Sequence, residues 1–151
     1  MINGSPTNLD TLQHTYAASF AISGQGSHTV TYWSVDNAGN AETAKGCTVK
    51  IDTTGPITAA KAAKGIAGHG LKLSYRISDN LSPTATGVQL VVKNAAGKVV
   101  KTLACGAQSV TVWNSVTWTP QAKGTYSYAV YAKDLAGNSQ STRGSAKIIA
   151  K

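Results

Sequence analysis

The chain has 151 residues, room for one large domain or two small ones at roughly 100–150 residues per domain. Hydrophobic residues make up 42%, enough for a real core, but charged residues only 13%, against the ~25% of an ordinary soluble domain, so Ser, Thr, Gly, Asn and Lys must cover the surface. No apolar run approaches the ~20 residues that span a bilayer, Met1 to Pro6 lacks the basic start and apolar centre of a signal peptide, and two cysteines are too few for a disulfide framework or a zinc site.

The supply of β-branched and small residues predicts strands and almost no helix. In chain order, Gly26 to Val35 reads as a strand, Asp36-Asn37-Ala38-Gly39-Asn40 as a turn and Cys47 to Ile51 as the returning strand. Cys47 alternates with Val49 and Ile51, which predicts a small packed hydrophobe on the apolar face rather than a bridge to Cys105. At Asp52-Thr53-Thr54-Gly55-Pro56, proline removes a donor and fixes φ, so pairing must stop. The domain boundary is placed here, with modules at 1–52 and 57–151 and a linker at 53–56. Residues 57 to 63 form an uncertain first strand, and Ala60 to Lys64 could instead be a single helical turn. Leu71, Leu73, Tyr75 and Ile77, then Val88, Leu90 and Val92, alternate with their neighbours as half-buried strands do. Asn94 to Gly97 turns into Lys98 to Leu103. Ser109 to Thr119 carries Val110, Val112, Val116 and Trp118 in one parity. Tyr126, Tyr128, Val130 and Ala132 are the buried set of the next strand, and Ala146 to Ala150 is the last. The count for the second module, about seven short strands with turns every 8–12 residues, is that of an immunoglobulin-like sandwich.

The segment from Gly26 to Asn40 aligns without gaps to Gly124 to Asn138, an offset of 98. Applied to residue 57, this offset places the start of the first copy before Met1, so the first module is expected to be partial, lacking its first strands and prone to self-association through an open strand edge. With Tyr16 to Ser23 and the linker Ile51-Asp52-Thr53-Thr54, the first copy resembles the C-terminal half of bacterial immunoglobulin-like repeats of secreted and surface proteins. Residues 57–151 are similar to the immunoglobulin-like domain of flagellar-hook-capping proteins and to C-terminal modules of actinobacterial exported proteins. The resemblance implies an all-β pair of tandem immunoglobulin-like modules, an extracellular or cell-surface setting, a spacer, adhesion or accessory role and no catalytic residues.

The residues themselves give little for catalysis, which needs a nucleophile with its base or paired carboxylates. His28 takes the strand position that Tyr126 fills in the second copy, which predicts packing and a corner hydrogen bond. His14 and His69 have no motif partner. Asp36 and Asp134 are expected to brace their turns rather than bind calcium, because six acids in the chain are few for a hard cation. No metal and no cofactor is expected. Trp33 and Tyr131 share a repeat position on the outward parity, where a flat ring could serve as a sugar platform. Residues 57–151 hold 12 Lys/Arg against Asp79 and Asp134, whereas residues 1–56 hold Lys45 and Lys50 against four acids. Lys93, Lys133 and Lys147 fall on outward parities beside Tyr131, so a positive face is expected there, suited to a polysaccharide or an anionic wall polymer. Nothing in the pattern reads bases, so no sequence-specific nucleic acid is expected.

Overall fold

Period-two alternation of apolar and polar residues governs the chain, and the computed structural model, which describes residues 2–5, 12–14 and 18–151, holds strands and no helix among them. Asp10 and Tyr16 lie outside the described residues, as does the side chain of His14. The chain divides into two compact units, residues 1–53 and 54–151.

The first unit is a four-stranded sheet of β1 (Ile2–Ser5), β2 (Leu12–His14), β3 (Gly26–Tyr32) and β4 (Lys45–Ile51), in the order β2-β1-β3-β4. Every neighbouring pair is antiparallel. Its described buried side chains are His28 and Val30, 5% and 8% exposed. Phe20, Tyr32 and Val35 are exposed. Cys47 is exposed and free rather than packed. Its parity is that of Val49 and Ile51, which are half-buried, but alternation only selects a face, and no second layer covers that face at Cys47 among the described residues of this unit.

The second unit has eight strands: β5 (Ile57–Ala60), β6 (Ala63–Gly65), β7 (Leu71–Ser78), β8 (Thr84–Asn94), β9 (Val99–Ser109), β10 (Trp113–Trp118), β11 (Gly124–Lys133) and β12 (Ser145–Ala150). They make a three-stranded sheet, β10-β7-β5, and a five-stranded sheet, β6-β12-β11-β8-β9. All pairings are antiparallel except β6 with β12. The two sheets enclose one core. Leu71, Leu73, Tyr75 and Ile77 of β7 face Val88, Leu90 and Val92 of β8, Tyr128, Val130 and Ala132 of β11 and Ile148 of β12. Each fully buried side chain of this kind contributes about 1.5–3 kcal/mol of transfer free energy. This is the immunoglobulin-like sandwich, with the first strand divided between the two sheets.

That division resolves the uncertain segment after residue 57. It is a strand in two pieces, β5 in one sheet and β6 in the other, and the helical turn at Ala60 to Lys64 does not form. The break is held by Tyr128, whose hydroxyl lies 2.7 Å from the carbonyl oxygens of both Lys61 and Ser74. Burial pushes this hydroxyl's pKa up, and that of Tyr75 also. The stretch before β10 also differs from its expected strand. Ser109 ends β9 and Val110 to Val112 is a bend, with Thr111 at φ 67° and Val112 exposed, because Thr111 N–H donates to Ile77 O instead of continuing the ladder. Gly55 and Pro56 pack into the second unit. Pro56 is fully buried, and a Cβ on Gly55 would fall 1.8 Å from Ser139 O.

The repeat holds at the level of single hydrogen bonds. Asp36 N–H donates to Asn40 O and Gly39 N–H to Asp36 O, and the same bonds join Asp134 to Asn138 and Gly137 to Asp134. Gly39 and Gly137 both have φ 90°, a conformation a side chain would strain. Antiparallel β1-β3-β4 of the first unit corresponds to β8-β11-β12 of the second.

Candidate functional site

The outward parity of β11 is Ser127, Ala129, Tyr131 and Lys133, the complement of its buried set. Register places these residues in rows across the five-stranded sheet. Ser127 lies opposite Lys93 of β8 and Lys147 of β12, Ala129 opposite Val91 and Ser145, and Tyr131 opposite Gln89. Arg143, on the segment entering β12, completes the Tyr131 row, with Nη1 donating to the Tyr131 hydroxyl at 3.1 Å and the guanidinium carbon 5.3 Å from the ring centroid. The result is a shallow trough of about 310 Å³ with Val91, Ser127 and Ala129 in its floor, Lys93 at one end and Tyr131 with Arg143 at the other. Lys147 stands beside it, exposed. Lys133 does not line it, because the pairing of β11 with β8 slips between Tyr131 and Lys133 and carries Lys133 on to Thr86.

The structure therefore brings Lys93, Tyr131 and Lys147 onto one surface, sets Lys133 past a bulge on the same sheet, and leaves Trp33 half-buried in the first unit after β3. Tyr131 is not a bare platform, since Arg143 occupies its edge and hydroxyl. Arg143 was missed in the sequence because it belongs to no strand, and period two says nothing of a loop residue. Among the described residues, no Lys or Arg of residues 57–151 forms an ion pair; the ion pair present is Lys45 with Glu42 at 3.1 Å. The trough offers ammonium and guanidinium charge, hydroxyls and a phenol, which is chemistry for holding an anion or a hydroxylated ligand.

A second recess of about 490 Å³ lies between the edges of β9 and β10, against Val100, Leu103, Trp118 and Tyr126. Trp118 and Tyr126 meet edge to face at 5.1 Å, and Tyr126 donates to Ala122 O at 2.9 Å. That bond is the tyrosine corner of immunoglobulin-like domains. His28 makes the matching bond in the first unit, Nε2–H to Gly24 O at 2.9 Å, four residues back in both cases. Exposed Trp113 carries Lys61 Nζ over its ring at 3.9 Å. His69 is exposed in its loop, with Nδ1 3.3 Å from Ala67 O.

Of the residues that could hold a cation, Asp79 and Asp134 come together, with carboxylate oxygens within 4.8 Å. Asp134, 1% exposed, accepts from the Asn138 N–H and side-chain amide. Asp79 Oδ1 accepts from Leu81 and Ser82 N–H, while its buried Oδ2 has no hydrogen-bond partner. Asp36, in the equivalent turn of the first unit, is exposed and braces that turn through Ala38 and Asn40. Its carboxyl is held below the ordinary value, chiefly by the Asn40 side chain.

Fold and site together define an immunoglobulin-like β-sandwich with a cationic trough on its outer sheet face. Similar solved structures include the fibronectin(III)-like modules of CbhA from Clostridium thermocellum, 22% identical over 64% of this chain and 96% of that one with a TM-score of 0.43. Dimeric latent PorU from Porphyromonas gingivalis is 14% identical over 85% of this chain, with a TM-score of 0.44; the match takes in 13% of the PorU chain. No protein-family model and no curated protein sequence matches the chain.

Proposed function

We propose that this chain is a non-catalytic immunoglobulin-like spacer or adhesion stretch of an exported or cell-surface bacterial protein, whose second unit attaches to anionic wall polymer. The observation that carries this reading is the disposition of charge. Residues 57–151 hold 12 Lys/Arg against two Asp, and Lys93, Lys147 and Arg143 gather on one sheet face beside a trough. A field of one sign over a low-dielectric surface attracts polyanions from a distance. The low-acid, Ser/Thr/Gly-rich composition supports the extracellular setting, and no helix among the described residues is long and apolar enough to cross a membrane. A second reading, an accessory carbohydrate-binding module of a secreted enzyme, is favoured by the hydroxyl-bearing floor and Tyr131.

The test is retention of the full chain on an immobilised polyanion such as polyphosphate, against neutral dextran, across a salt series. Binding at low salt that fades as the Debye length shrinks to ~3 Å near 1 M is expected. No retention at low salt, or equal retention on dextran, overturns the polyanion reading.

A further inference from the structure

Resting on the reading of the basic sheet face as a binding surface, we infer that the trough takes a linear polysaccharide bearing carboxylates, a uronate-containing chain, laid along β11. The two cationic stations are fixed by register. Ser127 and Tyr131 are four residues apart on one strand, so the Lys93–Ser127–Lys147 row and the Tyr131–Arg143 row lie about 13 Å apart. Lys93 and Lys147 flank Ser127 from the neighbouring strands, about 10 Å from each other at the backbone. A ligand that meets both stations is extended and charged at intervals.

The stations differ in what they recognise. Lys93 and Lys147 are flexible point charges, indifferent to the shape of an anion. Arg143 is anchored, with one N–H spent on the Tyr131 hydroxyl and its plane beside the ring. The remaining donors of that fork suit the two coplanar oxygens of a carboxylate, and because the side chain is already ordered, less entropy is lost on binding. Between the stations the floor is short: Ser127, Ala129 and Ser145, with Val91 beside them. A pyranose ring finds apolar methyl and methylene surface there for its C–H face and two hydroxyls for its own. The fork also suits the paired oxygens of a phosphate, so the floor makes the distinction: a phosphodiester chain has no ring face to lay on Val91 and Ala129, and a sugar acid has.

The experiment is isothermal titration of the full chain with oligogalacturonate, with the same oligosaccharide after methyl esterification, and with polyphosphate, all at low salt. Four variants accompany the parent: Arg143→Lys, which keeps the charge and loses the fork; Tyr131→Phe, which loses the anchor; Ser127→Trp, which fills the trough from an exposed position; and Lys123→Gln, a charge removed outside the trough. Thermal melts of each variant report folding. The expected result is that oligogalacturonate binds and methyl esterification weakens it about tenfold or more, the loss of a charge-assisted pair. Arg143→Lys and Tyr131→Phe are expected to weaken it severalfold at unchanged net charge, Ser127→Trp to abolish it, and Lys123→Gln to leave it nearly unchanged. If Arg143→Lys and Ser127→Trp melt and bind as the parent does, the trough is not the site, although the broader polyanion reading stands. If polyphosphate binds as tightly as oligogalacturonate and Arg143→Lys treats both alike, the carboxylate assignment is overturned. Absence of binding to every anion at low salt removes the broader reading as well.

Discussion

His28 and Tyr126 do the same work with different chemistry. Each closes the turn before its strand by donating to the carbonyl four residues back, and an imidazole N–H substitutes for a phenol because the corner asks only for a donor at the right reach. The pair was legible from the gapless alignment. A second matched pair was not. Glu42 accepts from Ser34 N–H at 2.9 Å, and Gln140, 98 positions on, accepts from Ala132 N–H in the same way. Glu and Gln after a turn look like ordinary surface residues, and only the folded chain shows their carbonyl-type oxygens pinning the end of the preceding strand. The difference between them has a pH consequence. The Glu42 carboxyl is held below its ordinary value by the Lys45 ammonium first and Ser34 N–H next. A depressed carboxyl pKa contributes stability that is present above the unfolded value, near 4.3, and is lost as pH falls through the folded one. Amide exchange at Ser34 should therefore show weakening protection below about pH 4 in the parent. In Glu42→Gln, which copies the second unit, the contribution from this side chain should be independent of pH. Equal acid dependence of the Ser34 amide in both proteins would show that Glu42 does not set it.

At the scale of elements, alternation identified β7, β8, β11 and β12 with their buried faces, because each has one face against the core and the other in water. It was blind wherever a strand leaves one sheet for another or turns back. The division into β5 and β6 depends on the Tyr128 hydroxyl meeting Lys61 O and Ser74 O, partners 67 and 54 residues away. No local pattern encodes such a contact. The trough follows the same division: Lys93, Tyr131 and Lys147 could be read from strand parity, but Arg143 could not. The segment leading into β12 is seated equally tightly. Thr58 Oγ1 accepts from Gly144 N–H at 2.8 Å, and a Cβ on Gly144 would lie 2.6–2.7 Å from the Ala59 backbone. Backbone cannot swing aside as a side chain can, so Gly144→Ala should force β5 away from this segment and cost about 1–3 kcal/mol, the usual scale of overpacking. Chemical unfolding of the variant and the parent measures this; a loss below about 0.5 kcal/mol, the scatter of surface substitutions, would mean that the approach relaxes easily.

At the scale of the whole molecule, the two units differ in how completely they can bury what they carry. The second closes a two-layer core in which Leu73, Tyr75, Ile77, Leu90, Tyr128, Val130 and Ile148 are almost fully buried. Several buried polar groups of the unit are answered from within it, Tyr128 by Lys61 and Ser74, Thr58 by Gly144 and Asp134 by Asn138, whereas the buried Oδ2 of Asp79 is not. The first presents a single sheet whose described buried side chains are His28 and Val30. An independent fold requires enough buried apolar surface to offset chain entropy, and the second unit carries its whole closed core within residues 54–151. The excised fragment 54–151 should therefore melt in one cooperative transition. Val130 sits in that core with no exposed surface, packed in a cluster of apolar side chains. Val130→Asp should abolish the transition by burying an unpaired charge, a cost of several kcal/mol against a total stability of ~5–15. Calorimetry of the fragment decides the matter: a broad, non-cooperative melt of 54–151 without substitution would mean that its core is insufficient alone, and a cooperative melt of the Val130→Asp fragment would mean that the centre of the sandwich tolerates charge and is looser than its packing indicates.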